Sequence, residues 1–87
     1  MTKEMEEMLS DYIMVLGIEK GLSTNTLSAY RKDIEQFLEW LTKHDMRLEE
    51  IDQLCIREYK QNLGMHLKSA SISRKLTAIK GFVEYIT

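Results

Sequence analysis

Two stretches of the chain combine short hydroxyl side chains with basic ones. The first holds Ser23, Thr24, Asn25 and Thr26, then Ser28, Arg31 and Lys32. The second holds Lys68 and Ser69, then Ser71, Arg74, Lys75 and Ala78. The last four stand at i, i+3, i+4 and i+7, a spacing that places them on one side of a helix, opposite its apolar stripe. Such sets suit a phosphate oxygen. A helix start offers unpaired N–H groups and a partial positive charge, hydroxyls donate at short range, and a basic pair adds full charge. Both stretches also fit a solvated polar face with good caps, which is common on helical proteins.

The residues that carry covalent or acid–base chemistry are scattered. Glu6/Glu7 and Glu49/Glu50 are adjacent pairs whose side chains diverge, whereas a catalytic acid and base must converge. Cys55 has only Arg57 as a basic neighbour and reads as a small core residue. His44 and His66 fall at helix ends or links, where solvated capping is the expected role. One cysteine and two distant histidines give no metal-ligand spacing. There is no glycine-rich phosphate loop, Ser/His/Asp arrangement or His-Glu-x-x-His. The expectation is a binding domain with no catalytic residues, cofactor or metal of its own.

The elements that must position these residues are helices. Proline is absent and glycine occurs four times in 87 residues, enough chain for one domain. Met5, Met8, Leu9, Tyr12, Ile13 and Leu16 form one helical stripe, predicting a helix from Lys3 to Glu19 that gives way at Lys20-Gly21. Ser23 is placed to cap a second helix, with Leu22 and Leu27 at the positions of a hydrophobic staple. Its stripe is Leu27, Tyr30, Ile34, Phe37, Leu38 and Leu41, ending near Lys43-His44. Asp52 predicts the start of a shorter third helix through Leu63, stopped by Gly64, with Ile51, Cys55 or Leu54, Tyr59 and Leu63 inward. Ser69 is placed as the cap of a fourth, which buries Ile72, Leu76, Ile79, Val83 and Ile86 with Phe82 beside them. Gly81 inside that helix costs up to about 1 kcal/mol of propensity and points to close packing against a neighbour. The predicted class is all-α, a single four-helix bundle.

Net charge is −2, but its distribution is uneven. Lys60, Lys68, Arg74, Lys75 and Lys80 face Glu84 alone in the last 28 residues, whereas the first helix is acidic. A local basic surface on an acidic chain is therefore expected. The lone cysteine suits a reducing compartment, the acidic N-terminus lacks a signal-peptide pattern, and no apolar run approaches about 20 residues. These features predict a cytoplasmic protein with no membrane partner.

The run Leu22-Ser23-Thr24-Asn25-Thr26-Leu27-Ser28-Ala29-Tyr30-Arg31-Lys32-Asp33-Ile34, followed by Phe37-Leu38-Glu39-Trp40-Leu41, resembles a family signature. It is similar to S-x-x-T-x-x-x-Y-x-x-D-[LI]-x-x-F, found in the N-terminal, SAM-like core-binding domain of tyrosine recombinases of phage-integrase or Xer type. The run Ser69–Tyr85 resembles that domain's last helix. The resemblance implies a SAM-like bundle that clamps one side of double-stranded DNA while a C-terminal catalytic domain of the same protein grips the other. It implies that the second and fourth helices approach the major groove and that other protomers join in a recombination complex. Carried over by position, Ser23, Thr26, Tyr30 and Arg31 belong to the first motif, and Ser69, Arg74 and Lys80 to the second. Tyr30 lies on the core stripe and is expected to pack. Thr24, Asn25, Lys32, Lys68, Ser71 and Lys75 complete the expected DNA-binding set from geometry. The family's catalytic Arg-Lys-His-Arg set and nucleophilic tyrosine belong to the C-terminal domain, so none of Tyr12, Tyr30, Tyr59 and Tyr85 is expected to be that nucleophile. The chain is expected to be a fragment of a longer protein. A helical protein–protein interaction module is the alternative.

Overall fold

The computed structural model describes residues 1–65 and 67–87. The capping role expected of His66 lies outside them. Four helices follow in order: α1 (Lys3–Glu19), α2 (Thr24–Lys43), α3 (Gln53–Gly64) and α4 (Ser69–Ile86), with a short 3-10 turn at Leu48–Glu50. No strand occurs among the described residues, so the all-α prediction holds. No helix is long and apolar enough to cross a membrane among the residues described.

The boundaries follow from local chemistry. Gly21 adopts φ 58, the left-handed conformation that closes α1. Ser23 accepts a hydrogen bond from the Thr26 N–H, and Asp52 accepts one from the Cys55 N–H at 2.8 Å, so both predicted caps are in place. His44 ends α2, its ring Nδ1 donating to the Trp40 carbonyl at 2.8 Å. The start of α4 differs from expectation. Lys68, in extended backbone, holds the cap position without a side-chain bond, and Ser69 is already the first helical residue. The Lys68 carbonyl accepts from Ile72 N–H, which moves the helix start one residue earlier than a serine cap requires.

Helix α2 packs against α1 and α4, and α4 also touches α3 and α1. The core gathers Leu9 of α1, Ile34, Phe37, Leu38 and Leu41 of α2, Cys55 and Tyr59 of α3, and Ala78, Ile79 and Phe82 of α4. Phe37 meets Tyr59 edge-on with ring centroids 5.0 Å apart, joining α2 to α3. Tyr12 meets Phe82 at 5.7 Å, joining α1 to α4. Cys55 is buried as expected, while Leu54 stays exposed. Burial, then the charges of Asp52 and Glu58, push the Cys55 thiol up, which suits an inert core residue.

Two buried phenols give the fold an alkaline limit. Burial and then the Asp33 carboxylate push Tyr59 up to about 12 from 10.0. Burial also raises Tyr12, helped by Tyr30 and Glu84. Unfolded chains release these protons near pH 10, whereas the folded protein retains that of Tyr59 to about pH 12. The resulting stabilisation is complete below pH 10 and is lost as pH rises through 12. Urea midpoints should hold steady to about pH 9 and fall above pH 10, in step with tyrosinate absorbance. A midpoint that stays level through that window contradicts the burial of an ionisable Tyr59.

Candidate nucleic-acid interface

The fourth helix sits rotated from its predicted orientation. Lys75 and Ala78, expected on the outer face with Ser71 and Arg74, are buried, and Ser71 is half-buried. The inward stripe is Lys75, Ala78, Ile79 and Phe82, also spaced i, i+3, i+4 and i+7. Ile72, Leu76, Val83 and Ile86 flank it, partly exposed.

A buried carboxylate explains the rotation. Asp33 of α2 is 1% exposed and accepts from both bases. Lys75 Nζ donates to Asp33 Oδ1 at 2.9 Å and to Gln36 Oε1 at 2.6 Å. Arg74 Nε and Nη2 donate to Asp33 Oδ2 and Oδ1, both at 3.1 Å, in the two-pronged geometry that a planar guanidinium favours. The aliphatic stem of Lys75 fills core space while its ammonium is neutralised, so a lysine can occupy an inward position. No buried side-chain nitrogen or oxygen lacks a partner among the described residues. Lys75 is therefore corrected from a surface base to an interior one. Arg74 remains reachable: its side chain is 53% exposed, and Nη1 takes no part in the pair with Asp33.

The other expected residues fall into two groups that do not meet at one point. Ser23, Thr24 and Asn25 are exposed at the start of α2, with Thr26 half-buried and its Oγ1 accepting from Ser23 Oγ at 3.0 Å. Leu22 and Tyr30 line a cleft with Thr77, Lys80 and Gly81, so that start lies beside the middle of α4. Lys68 and Ser69 are exposed at the start of α4, while Arg74 and Lys75 lie beside the middle of α2, at Asp33 and Gln36. The Asp33 latch thus fixes how α2 and α4 cross. Lys32 and Lys80 are exposed. Arg31 is exposed but tied down, its Nε donating to Glu35 at 3.0 Å and its Nη2 to Ser10 at 3.4 Å. Tyr30 packs against the core.

Asp33 is the residue that sequence reasoning missed. It stands in the quoted motif beside Ile34, yet no structural role was expected of it. An acid on the apolar side of α2, with an adjacent base pair on a later helix, was the available signal. No group of three or more His, Cys, Asp or Glu able to hold a metal occurs among the described residues.

Comparison with known proteins agrees with this architecture. The profile of the family described as phage integrase, N-terminal SAM-like domain, matches residues 9–87. The chain belongs to that family. It is 35% identical over 83 residues to the tyrosine recombinase XerD of Staphylococcus aureus strain Mu50, covering 93% of this chain and 28% of the relative. It is 34% identical over 82 residues to the tyrosine recombinase XerC of Staphylococcus saprophyticus, again covering 93% and 28%. The chain thus spans little more than a quarter of the length of these relatives. No solved structure gives a significant match.

Proposed function

We propose that this chain is a DNA-binding domain of a site-specific tyrosine recombinase or integrase. It clamps duplex DNA through α2 and α4 and supports recombination or integration by a catalytic domain outside this sequence. The observation that carries the reading is the latch between α2 and α4. It holds Arg74 half-exposed, with Lys32 on the exposed side of α2 and Lys68, Ser69 at the exposed start of α4. The family relationship supports it, since the named relatives are recombinases. Ser23, Thr24, Asn25, Lys32, Lys68, Ser69 and Arg74 are the contacts proposed. Thr26, Ser71 and Arg31 take secondary places because of their burial or their internal bonds. Lys75 acts through packing. Other protomers and the catalytic domain complete the assembly, in the cytoplasm, and no catalytic group comes from these residues.

Alone, the domain should bind random duplex weakly, at about 10⁻⁴–10⁻⁶ M and with steep salt dependence. Alanine at Arg74 and Lys75 would disturb the neutralisation of Asp33, so exposed bases give the cleaner test. Replacing Lys32 and Lys68 together by alanine should weaken duplex binding and flatten the salt slope by about 2, at an unchanged melting temperature. Unchanged affinity and slope would contradict this interface.

A second reading is a protein-interaction module. Met14 and Ile18 favour it: they sit one turn apart on α1 with 59% and 76% exposure, near acidic residues. Self-association that is lost on Met14→Ser and Ile18→Ser, without any response to DNA, would favour that reading.

A further inference from the structure

The groove between α3 and α4 holds three cations that the fold leaves unused. Arg57 and Lys60 of α3 and Lys80 of α4 line it, over a floor that includes Ile56 and Leu76. A second hollow, lined by Lys60, Ser69, Ser73 and Leu76 among others, shares Lys60 and Leu76 with the first. The shared residues set the two hollows side by side along α4, between its start and Lys80, and the pair is termed the furrow. No aspartate or glutamate lines either part. The ion pairs among the described residues engage Arg31, Arg74 and Lys75, and none engages Arg57, Lys60 or Lys80.

Three like charges gathered with no ion pair among them, Glu84 near Lys80 lining only the cleft on the other side, repel one another and attract an anion. The shape selects an extended one. From Ser69 to Lys80 the helix rises about 16 Å. Each phosphate of a DNA strand advances about 3.4 Å along the duplex axis but lies about twice that far from the next along the winding strand, so that length seats about two or three successive phosphates. Hydroxyls of Ser69 and Ser73 at one end and lysines sharing the hollow with Ile56 and Leu76 suit backbone contact more than reading of base edges.

We propose that this furrow seats one phosphodiester strand of duplex DNA, with Arg57, Lys60 and Lys80 as backbone contacts. The inference rests on the DNA-binding reading above and adds α3 to the surface engaged. It places the strand along the α3 side of α4, away from the Asp33 latch.

The test is fluorescence anisotropy of a short random-sequence duplex across a salt series, with three proteins. These are the unmodified chain, the triple variant Arg57→Gln, Lys60→Gln, Lys80→Gln, and a charge-matched control, Lys3→Gln, Lys20→Gln, Lys43→Gln. All six positions are exposed, and melting by circular dichroism checks that each variant folds. The furrow variant should lose at least tenfold in affinity at low salt, and its salt slope should flatten by about 2–3, each lost phosphate contact removing about 0.9. The control should change by much less. If the unmodified chain binds and the furrow variant loses no more than the control, the furrow is overturned while the DNA-binding reading stands. If the unmodified chain fails to bind even at low salt, both fall together.

Discussion

Replacing Asp33 by alanine should cost about 3–5 kcal/mol, as much as emptying the site of a buried phenylalanine. Asp33 is 1% exposed and takes hydrogen bonds from Lys75 and, twice, from Arg74. Its loss leaves the buried Lys75 ammonium with only Gln36, a neutral partner. A domain of 87 residues has about 4–13 kcal/mol in total, so this one change removes a large fraction of its stability. The pair is asymmetric. Arg74 is half-exposed, so its share is screened by solvent, whereas the Lys75–Asp33 contact is shielded. Asp33→Asn should cost less, because the amide oxygen still accepts from lysine. Lys75→Met should cost least, because it keeps the stem and leaves Asp33 to Arg74. Denaturant melts of the three variants should rank in that order. A Lys75→Met protein less stable than Asp33→Ala would contradict the latch.

The second large effect is conditional on a partner residue. A Cβ at Gly81 would run into the Tyr12 hydroxyl, with the Tyr12 ring carbon 3.5 Å away. Gly81→Ala gains about 1 kcal/mol of helix propensity but forces this overlap, which costs about 1–3 kcal/mol. The net result should be destabilising by about 1–2 kcal/mol, or neutral if α1 can draw back. Removing the hydroxyl reverses the sign. In a Tyr12→Phe background the nearest remaining contact is an ordinary one, and Gly81→Ala should then stabilise by about 0.5–1 kcal/mol. Tyr12 makes no hydrogen bond among the described residues that its loss would forfeit. The double-mutant cycle reads this coupling directly. Identical effects of Gly81→Ala in both backgrounds would place the contact elsewhere.

What the sequence made legible was governed by local rules. The span of α1, the Ser23 and Asp52 caps and the left-handed Gly21 each depend on residues within one helical turn, and all are in place. Gly81 was readable too, because a glycine inside a helix needs a neighbour to account for it. The rotation of α4 was not. A lysine and a small alanine resemble surface residues until a carboxylate 42 positions away is known to neutralise the lysine. Periodicity cannot report that distance. The expected surface accordingly included Lys75 and left out Arg57 and Lys60, whose grouping with Lys80 depends on how α3 docks against α4. The family resemblance supplied the fold and an expectation of the kind of partner, but not which bases face inward.

The central claim is that α2 and α4 form a DNA-binding surface. A backbone amide NMR titration with a short random-sequence duplex, at low and then moderate salt, tests it most directly. Shifts should concentrate at residues 23–32 and 68–74, and at 57–60 and 80 where the furrow seats a strand, and vanish as salt is added, with Asp33 and Lys75 little perturbed. Absence of shifts at low salt, or shifts confined to the acidic face of α1, would contradict it.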